Sequence, residues 1–373
     1  MTQLRLNPYL LKVPLYIAGK SVEEVQEEYG LDDVLKLASN ENAMGPSPLA
    51  VEAAQKMLAE THRYPGLAER ELRRRLGPLT HPDFDERYVI TGNGATDLIR
   101  MIAQAFIFDG GEMITGRITF PMYSICTTMF GGVTRAVPPT PELRFDLPAI
   151  AEAVSPDTRL IFITTPNNPT GLICHRAEVD EFMGRVPEGV VVVFDESYRD
   201  FVDDADYPDP AHYVAAGRNV IVVRSFSKSA GLANLRVGYA IARPDLVEYL
   251  HHAQLPFNTG AIALAAACAS LDDGDYLERN RRLVREGREF LYAAFDSLDL
   301  SYVRSQTNFV LITGLPVEAK VLGESLIRRG VIVRPMTGWG LPDAIRVSLG
   351  THEQNERFVA ALRAVLEEAR VAA

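Results

Sequence analysis

Residues 224–239 have the sequence RSFSKSAGLANLRVGY, and the interpretation of the whole chain depends on them. The apolar run 220–223 that leads into them is typical of a buried parallel strand. A second strand is predicted over Val237–Ala242. Between the two strands, serines, one lysine and one arginine lie in a turn that contains glycine. The pattern predicts polar and charged side chains at the end of a core strand.

Lys228 is the only lysine in the central part of the chain, since the others are Lys12, Lys20, Lys36, Lys56 and Lys320. It follows a core strand, where an ammonium group is costly to bury. Its amine can lose a proton and form an imine, which an arginine cannot do. A lysine at this place is therefore either salt-bridged or used for its chemistry.

Three interpretations of this segment are open. The first is a solvated loop, and the second is a Ser-x-x-Lys site with Ser225 as nucleophile. The second class also requires Ser-Asp-Asn and Lys-Thr-Gly, which the chain lacks. The third is a lysine that holds pyridoxal phosphate as a Schiff base, with Ser225, Ser227 and Arg236 around the phosphate. This third interpretation predicts further parts elsewhere in the chain.

The bulk properties of the chain exclude several classes of protein. Its 373 residues are enough for two domains. A net charge of −11 argues against nucleic acid or an anionic membrane surface as a partner. The sequence shows no secretory signal, membrane-spanning run or metal motif, and three scattered cysteines favour a reducing compartment. We therefore expect a cytoplasmic protein that binds no metal.

The order of predicted elements indicates an α/β protein with two parts. Strands and helices alternate over residues 46–270, which predicts a large domain with a mainly parallel sheet covered by helices. From about residue 271 the pattern changes to a long charged helix followed by short strands and further helices. One of these strands is predicted over Val331–Arg334. Residues 271–373, together with the arm 1–45, therefore form the predicted smaller α+β domain.

Side chains with useful chemistry follow the predicted strands of the large domain. They are Gly94, Ala95 and Thr96 in a glycine-rich turn before a helix, then Phe120, Asn168, Asp195 with Glu196, and Tyr198. Taken singly, each has a structural explanation such as a tight turn, core packing or an ion pair. Open α/β sheets bind their ligands at the carboxyl ends of the strands. We therefore expect these side chains to form one site.

This set of side chains matches the needs of pyridoxal 5′-phosphate. A glycine-rich turn at a helix N-terminus suits the phosphate, and the Asp195 carboxylate keeps the pyridine nitrogen protonated. Asn168 and Tyr198 bind the ring oxygen, while Phe120 stacks on the ring. Lys228 supplies the imine and later moves a proton. The predicted catalytic residues are accordingly Lys228, Asp195 and Tyr198.

Eight motifs carry a resemblance to a known family. They are LASNEN (37–42), RYP (63–65), PNNPTG (166–171), DESY (195–198), SFSK (225–228), GLANLR (231–236), PFN (256–258) and RVSLGT (346–351). Over nearly its whole length the chain resembles the fold-type I, class II aminotransferases, most of all the histidinol-phosphate aminotransferases. The resemblance implies pyridoxal 5′-phosphate as cofactor, a seven-stranded sheet and a homodimer with active sites at the subunit interface.

The resemblance also assigns residues from other parts of the chain. Tyr64 is expected to reach the cofactor phosphate of the partner subunit, and Tyr16 to close the pocket from the arm. Asn40 and Asn42 are assigned to the substrate.

Two arginines are assigned to the anionic end of the substrate. Arg346 matches the arginine that the family uses there, and Arg334 matches a second arginine of the histidinol-phosphate enzymes. The structural alternative for each is a surface arginine. A doubly charged phosphate benefits from two guanidinium groups, whereas one carboxylate needs a single bidentate partner. The pair therefore favours a phosphorylated substrate.

The implied reaction transfers an amino group from L-histidinol phosphate to 2-oxoglutarate, a step of histidine biosynthesis. An aromatic amino-acid aminotransferase and a decarboxylase of a phosphorylated amino acid are the alternatives within the same chemistry. A catalytically silent binding protein is the alternative outside it. The chain departs from the family pattern at Phe120, Ser229, Asn234 and Thr259. These departures border the expected substrate pocket and affect the choice of substrate more than the choice of cofactor.

Overall fold

The computed structural model describes residues 4, 6–14 and 19–372, and for Ala372 the backbone alone. After the short strand β1 (Leu35–Lys36), the largest sheet of the described residues contains seven strands. They are β2 (Val89–Gly92), β3 (Glu112–Gly116), β4 (Val133–Val137), β5 (Thr158–Thr164), β6 (Val191–Asp195), β7 (Val220–Ser225) and β8 (Gly238–Ala242).

The seven strands lie in the order β2-β8-β7-β6-β5-β3-β4. Strand β8 is antiparallel to both of its neighbours, whereas the pairs from β7 to β4 are parallel. The prediction of a mainly parallel seven-stranded sheet is therefore confirmed. The carboxyl ends of β3, β5, β6 and β7 meet at one edge of this sheet, as the parallel pairing requires.

Helices cover both faces of the sheet and continue through the C-terminal part of the chain. They are α1 (Val22–Tyr29), α2 (Pro48–Met57), α3 (Ala68–Thr80), α4 (Ala95–Phe106), α5 (Met122–Met129), α6 (Leu147–Glu152), α7 (Arg176–Arg185), α8 (Pro210–Ala215), α9 (Pro244–His251), α10 (Ala261–Ser270), α11 (Gly274–Ser297), α12 (Ala319–Ile327) and α13 (His352–Ala372). Within the described residues, none of these helices combines the length and the apolar character needed to span a lipid bilayer.

The valine run of β6 shows why this strand lies at the centre of the core. Val191 and Val193 pack on one face of the sheet with the apolar side of α4. Val192 and Phe194 pack on the opposite face with α7. A strand buried on both faces has a continuous apolar sequence instead of an alternating one, which is the pattern that the sequence shows.

The C-terminal part contains an antiparallel sheet in the order β12-β13-β10-β9, with β9 (Ser301–Val303), β10 (Phe309–Thr313), β12 (Arg334–Pro335) and β13 (Ile345–Ser348). Strand β11 (Val331–Ile332) pairs instead with β1 from the N-terminal part. The prediction of one strand over Val331–Arg334 is therefore wrong, because the segment divides between two sheets. Strand β9 was not predicted. The domain limits at residues 46 and 270 stay a prediction.

Candidate active site

A cavity of about 310 Å³ lies where the strand ends of the large sheet face the C-terminal part of the chain. The described residues that line it include thirteen of the predicted site residues: Asn40, Ala95, Thr96, Phe120, Asn168, Asp195, Tyr198, Ser225, Ser227, Lys228, Arg236, Arg334 and Arg346. Ligands of open α/β sheets bind at this edge. The fold thus brings together side chains that are distant in the sequence.

Asp195 ends strand β6 and is 4% exposed. Its Oδ2 accepts a hydrogen bond from the Tyr123 hydroxyl at 2.7 Å. Its Oδ1 accepts two bonds from Ser197, from the backbone N–H at 3.0 Å and from Oγ at 2.6 Å. Burial raises the pKa of the Asp195 carboxyl, and the hydrogen bonds from Ser197 and Tyr123 oppose this rise. The result is an oriented carboxylate within the cavity wall that gains from a cationic neighbour.

Glu196, the next residue, has a different role. It lies in a buried ion pair with Arg224, whose Nη2 is 2.8 Å from Glu196 Oε2. The Tyr207 hydroxyl donates to Glu196 Oε1 at 2.7 Å. Successive side chains of an extended backbone point in opposite directions. Glu196 therefore forms a structural ion pair, whereas Asp195 lines the cavity and its functional role stays a prediction.

Lys228 lines the same cavity. Its Nζ donates to the Ser39 carbonyl oxygen at 3.2 Å and lies 5.8 Å from the centre of the Tyr198 ring. Burial, followed by the positive charge of Arg346, lowers the pKa of the Lys228 ammonium to about 8. A substantial fraction of this lysine is therefore neutral near physiological pH, as a nucleophilic or basic amine requires.

Asn42 supports the backbone around this lysine. Its Nδ2 lies within hydrogen-bonding distance of the Lys228 and Ser229 carbonyl oxygens, at 3.0 and 3.1 Å. From α11, Asn280 Nδ2 donates to the Ser229 carbonyl at 2.8 Å. Asn42 was predicted to contact the substrate, but it is not among the described residues that line the cavity. Sequence analysis missed Asn280, because no local motif marks a partner 51 residues from Ser229.

The segment before α4 and the loop after β7 together form an anion cradle. Gly94 has a φ of +78° and precedes the first turn of α4. A Cβ atom on Gly94 would lie 2.4 Å from Arg236 Nη2, so the absence of a side chain lets the guanidinium approach the helix N-terminus. Arg236 Nη1 also approaches Ser227 Oγ at 3.5 Å. A helix N-terminus, a guanidinium and hydroxyl groups together favour a phosphate.

The opposite side of the cavity is held by residues from both ends of the chain. Arg346 is 6% exposed. It donates through Nη1 to Asn168 Oδ1 and through Nη2 to the Ala38 carbonyl at 2.7 Å. Asn40, at a φ of +54°, donates through Nδ2 to the Tyr198 hydroxyl at 2.9 Å. The predicted cofactor residues Asn168 and Tyr198 thus each contact a predicted substrate residue.

Trp339 is a lining residue that sequence analysis missed. Its indole Nε1 donates to the Thr119 carbonyl at 2.8 Å, next to Phe120. Phe120 in turn meets the Tyr123 ring edge-to-face, with the ring centres 5.8 Å apart. The Arg334 guanidinium lies 5.5 Å from the centre of the Trp339 ring. The one available signal was that Trp339 is the only tryptophan in the chain.

The other four predicted residues are Gly94, Asn42, Tyr64 and Tyr16, of which the first three are not among the described residues that line the cavity. Tyr64 is 77% exposed and stacks on Phe257, with the ring centres 4.4 Å apart. It is not among the described residues that line the cavity of its own chain. Its predicted contact with a partner subunit stays a prediction. Tyr16 lies outside the described residues.

The fold is that of the class I and II aminotransferases. The family model named aminotransferase class I and II matches residues 32–362. The chain belongs to this family.

Two curated relatives are similar along almost the entire chain. The histidinol-phosphate aminotransferase of Symbiobacterium thermophilum is 42% identical over 353 residues, which cover 95% of this chain and 96% of that protein. The histidinol-phosphate aminotransferase 2 of Pseudomonas aeruginosa is 40% identical over 362 residues, which cover 96% and 97%.

A solved structure shows the same fold. The crystal structure of histidinol-phosphate aminotransferase from Sinorhizobium meliloti in complex with pyridoxal-5′-phosphate superposes with a TM-score of 0.88. It is 24% identical to this chain, and the match covers 98% of each.

Proposed function

We propose that this aminotransferase converts L-histidinol phosphate and 2-oxoglutarate into imidazole-acetol phosphate and L-glutamate, with pyridoxal 5′-phosphate as its cofactor. The observation that carries the proposal is that two arginines, Arg334 and Arg346, line the same cavity as Lys228. The relatives that are about 40% identical bear the name of this activity. The reaction belongs to histidine biosynthesis.

The residues of the cavity fit pyridoxal 5′-phosphate. The cradle of Gly94, Ala95, Thr96, Ser225, Ser227 and Arg236 suits its phosphate. Asp195 is a buried carboxylate that suits its ring nitrogen, and Asn168 and Tyr198 suit its ring oxygen. Phe120 offers a flat face to the ring. When bound, the group supplies an electron-accepting ring that stabilises negative charge at the amino carbon of the substrate.

Lys228 is the residue to which we assign the proton transfer at the amino carbon. Its lowered pKa of about 8 places the amine close to the pH at which a general base works best. The clamp formed by Asn42 and Asn280 on the adjacent carbonyl groups orients its backbone. Donor and acceptor use the same cavity in turn, so we expect ping-pong kinetics.

The two arginines are assigned to the anionic ends of donor and acceptor. Arg346 is fixed by Asn168 and the Ala38 carbonyl, which presents a guanidinium of defined orientation. Arg334 adds a second positive charge to the same cavity. A phosphate dianion gains more from two such groups than a single carboxylate does. The aromatic lining by Phe120 and Trp339 also suits free aromatic amino acids, which keeps an aromatic amino-acid aminotransferase as the second candidate.

A half-reaction screen tests the proposal. The purified enzyme is mixed with L-histidinol phosphate, phenylalanine, tyrosine, histidine or glutamate, without acceptor, and the cofactor absorbance is followed. We expect the half-reaction with L-histidinol phosphate to have the highest second-order rate constant, that is, the observed rate constant divided by the donor concentration. A preference for phenylalanine or tyrosine would assign the chain to the second candidate. A spectrum that no amine changes would instead indicate a binding protein without turnover.

Lys228→Ala is the control for the chemistry. We expect this variant to lose turnover and the cofactor adduct that borohydride traps. Lys36 is the one other lysine among the described residues that line the cavity, and it is paired with Glu41 at 3.2 Å. Full activity in Lys228→Ala would refute the mechanism.

We further propose a homodimer in the cytoplasm. An apolar groove at the surface is lined by Ala50, Val51, Ala54, Leu58 and Ile262, and the exposed pair of Tyr64 and Phe257 adds aromatic surface. Apolar surface of this kind favours association. Sedimentation equilibrium of the purified protein tests the dimer, and a monomer at micromolar concentration would refute it.

A further inference from the structure

Trp339 connects the two walls of the cavity. It follows β12 in the C-terminal part of the chain, yet its indole N–H donates to the Thr119 carbonyl of the large sheet region at 2.8 Å. Thr119 is itself fixed, because its Oγ1 donates to Asn167 Oδ1 at 2.9 Å and lies 3.2 Å from Thr164 Oγ1. The indole ring is therefore anchored to a rigid part of the cavity wall.

Arg334 lies between Trp339 and the N-terminal arm. Its guanidinium carbon is 5.5 Å from the centre of the Trp339 ring, within the range of a cation–π contact. On another side, a Cβ atom placed on Gly19 would lie 3.2 Å from Arg334 Nη1, so the backbone of the arm passes close to this guanidinium. An anchored aromatic ring thus lies against one side of this long side chain.

We propose that Trp339 is a specificity-determining residue that holds Arg334 in place to bind the distal anion of the amino donor. This inference rests on the proposed function and adds to it the residue that positions the second arginine. A guanidinium recognises a phosphate through two parallel hydrogen bonds, which requires a defined plane. We assign the restriction of that plane to the Trp339 ring, 5.5 Å from the guanidinium carbon. The bond from Trp339 to Thr119 connects the ring to the segment that carries Phe120.

Arg334 and Trp339 together form the proposed phosphate subsite, and the charges around this subsite agree with a phosphate ligand. Arg346 lines the same cavity as Arg334, while Arg236 and Lys228 line the part assigned to the cofactor. Lys36 also lines it and is paired with Glu41, at 3.2 Å. Asp195 is the one carboxylate among the described lining residues. A small cavity with this excess of cationic groups attracts dianions, and the held guanidinium adds a directional contact.

The test compares two donors that differ by the phosphate alone, L-histidinol phosphate and L-histidinol. In Trp339→Leu we expect kcat/KM for the phosphorylated donor to fall about tenfold, mainly through KM, because the cation–π contact and the anchor are both lost. For L-histidinol the fall is expected to be several times smaller. Trp339→Phe keeps an aromatic ring and should restore part of the difference. Equal losses for both donors would overturn the proposal.

A double-mutant cycle separates positioning from general damage to the fold. If Trp339 acts through Arg334, Trp339→Leu has little further effect on the phosphate preference once Arg334→Met is present. If the two effects on the phosphate preference multiply, Trp339 and Arg334 act independently and the proposal is wrong.

Fluorescence gives a readout that does not depend on turnover. Because the chain has a single tryptophan, emission excited at the indole comes from Trp339. We expect inorganic phosphate to change this emission in a saturable way in the holoenzyme, and Arg334→Met to abolish the change. A change that persists in Arg334→Met would overturn the inference.

The outcomes for the two proposals are distinguishable. A wild-type enzyme that does not prefer L-histidinol phosphate, but whose emission responds to phosphate through Arg334, would refute the proposed function and support the subsite. An equal preference for L-histidinol phosphate in the wild type and in Trp339→Leu would support the function and refute the subsite.

Discussion

Asp195 and Glu196 show how two adjacent residues of the same chemical type acquire different roles. Both are buried, at 4% and 2% exposure. Asp195 is surrounded by hydroxyl and amide donors that leave room for a cation from the cavity. Glu196 already has its cation in Arg224. The difference comes from the direction in which each side chain leaves the strand end.

This pair allows a matched comparison of Asp195→Asn and Glu196→Gln. We expect Asp195→Asn to lower kcat about 10²–10³-fold, which corresponds to about 3–4 kcal/mol of lost transition-state stabilisation, with little loss of stability. Glu196→Gln should instead destabilise the fold by about 3–5 kcal/mol, because Arg224 is left buried without its carboxylate. Enzyme assays and urea unfolding measure the two effects. The reverse pattern would contradict the assignment.

The lowered pKa of Lys228 predicts how reconstitution depends on pH. In the proposed function the neutral amine of Lys228 would react with the aldehyde of pyridoxal phosphate. The neutral fraction rises with pH until the pKa of about 8 is passed. We therefore expect the capture rate of the apoenzyme, measured by borohydride trapping, to rise about tenfold per unit below pH 8 and to level off above it.

The cause of that pKa can be tested with the same assay. Removal of the nearby positive charge in Arg346→Met should move the midpoint to higher pH, because a like charge no longer disfavours the ammonium. A capture rate that keeps rising up to pH 10 in the wild type would show a lysine of ordinary pKa near 10.5.

At the scale of elements, the site depends on how a strand changes into a helix. Strand β2 ends at Gly92, and α4 begins at Ala95 after two residues of turn. Gly94 makes the turn possible through its positive φ and through the space that it leaves for Arg236. The Arg236 side chain in turn comes from the segment between β7 and β8. One glycine thus determines the distance between two elements of the phosphate cradle.

Gly94→Ala should weaken binding of pyridoxal phosphate at least about tenfold, because the added Cβ displaces a charge-assisted contact worth about 1.5–3 kcal/mol. Gly110→Ala is the matched control. Gly110 has a similar φ of +75° but no atom within 4 Å of the added Cβ. It should cost about 1 kcal/mol of stability and leave the affinity unchanged. Equilibrium dialysis measures the cofactor affinity of both variants, and thermal melts measure their stability. Similar affinities in Gly94→Ala and Gly110→Ala would refute the role of Gly94 in binding the phosphate.

The elements that were predicted correctly have strong local signals. The apolar run 220–223 of β7 and the glycine-rich turn before α4 each follow from neighbouring residues. The division of Val331–Arg334 between two sheets does not, because its cause is the pairing of Val331 with Leu35. The contact of Asn42 with the Lys228 carbonyl spans 186 residues and has no local signal either.

At the scale of the whole molecule, the cavity is closed by contacts between distant parts of the chain. Asn40 reaches Tyr198, Arg346 reaches Asn168, and Trp339 reaches Thr119. Each contact joins an end of the chain to the large sheet. The lining residues of the sheet follow from the rule for strand ends, whereas Trp339 could not be found this way. The role of Trp339 depends on its contact with Thr119, which is 220 residues away in the sequence. Only the folded chain brings these two residues together.

The outward position of Tyr64, away from its own cavity, has a genetic consequence. If each site of the proposed dimer takes Lys228 from one subunit and Tyr64 from the other, then chains carrying Lys228→Ala and chains carrying Tyr64→Ala can complement each other. Random pairing of equal amounts makes about half of the dimers mixed, each with one intact site. A strain that needs this activity and expresses both the Lys228→Ala and the Tyr64→Ala chain should regain about a quarter of the wild-type activity. A strain that expresses only one of the two variants should not regain it. Two defective copies of the gene would then together support growth.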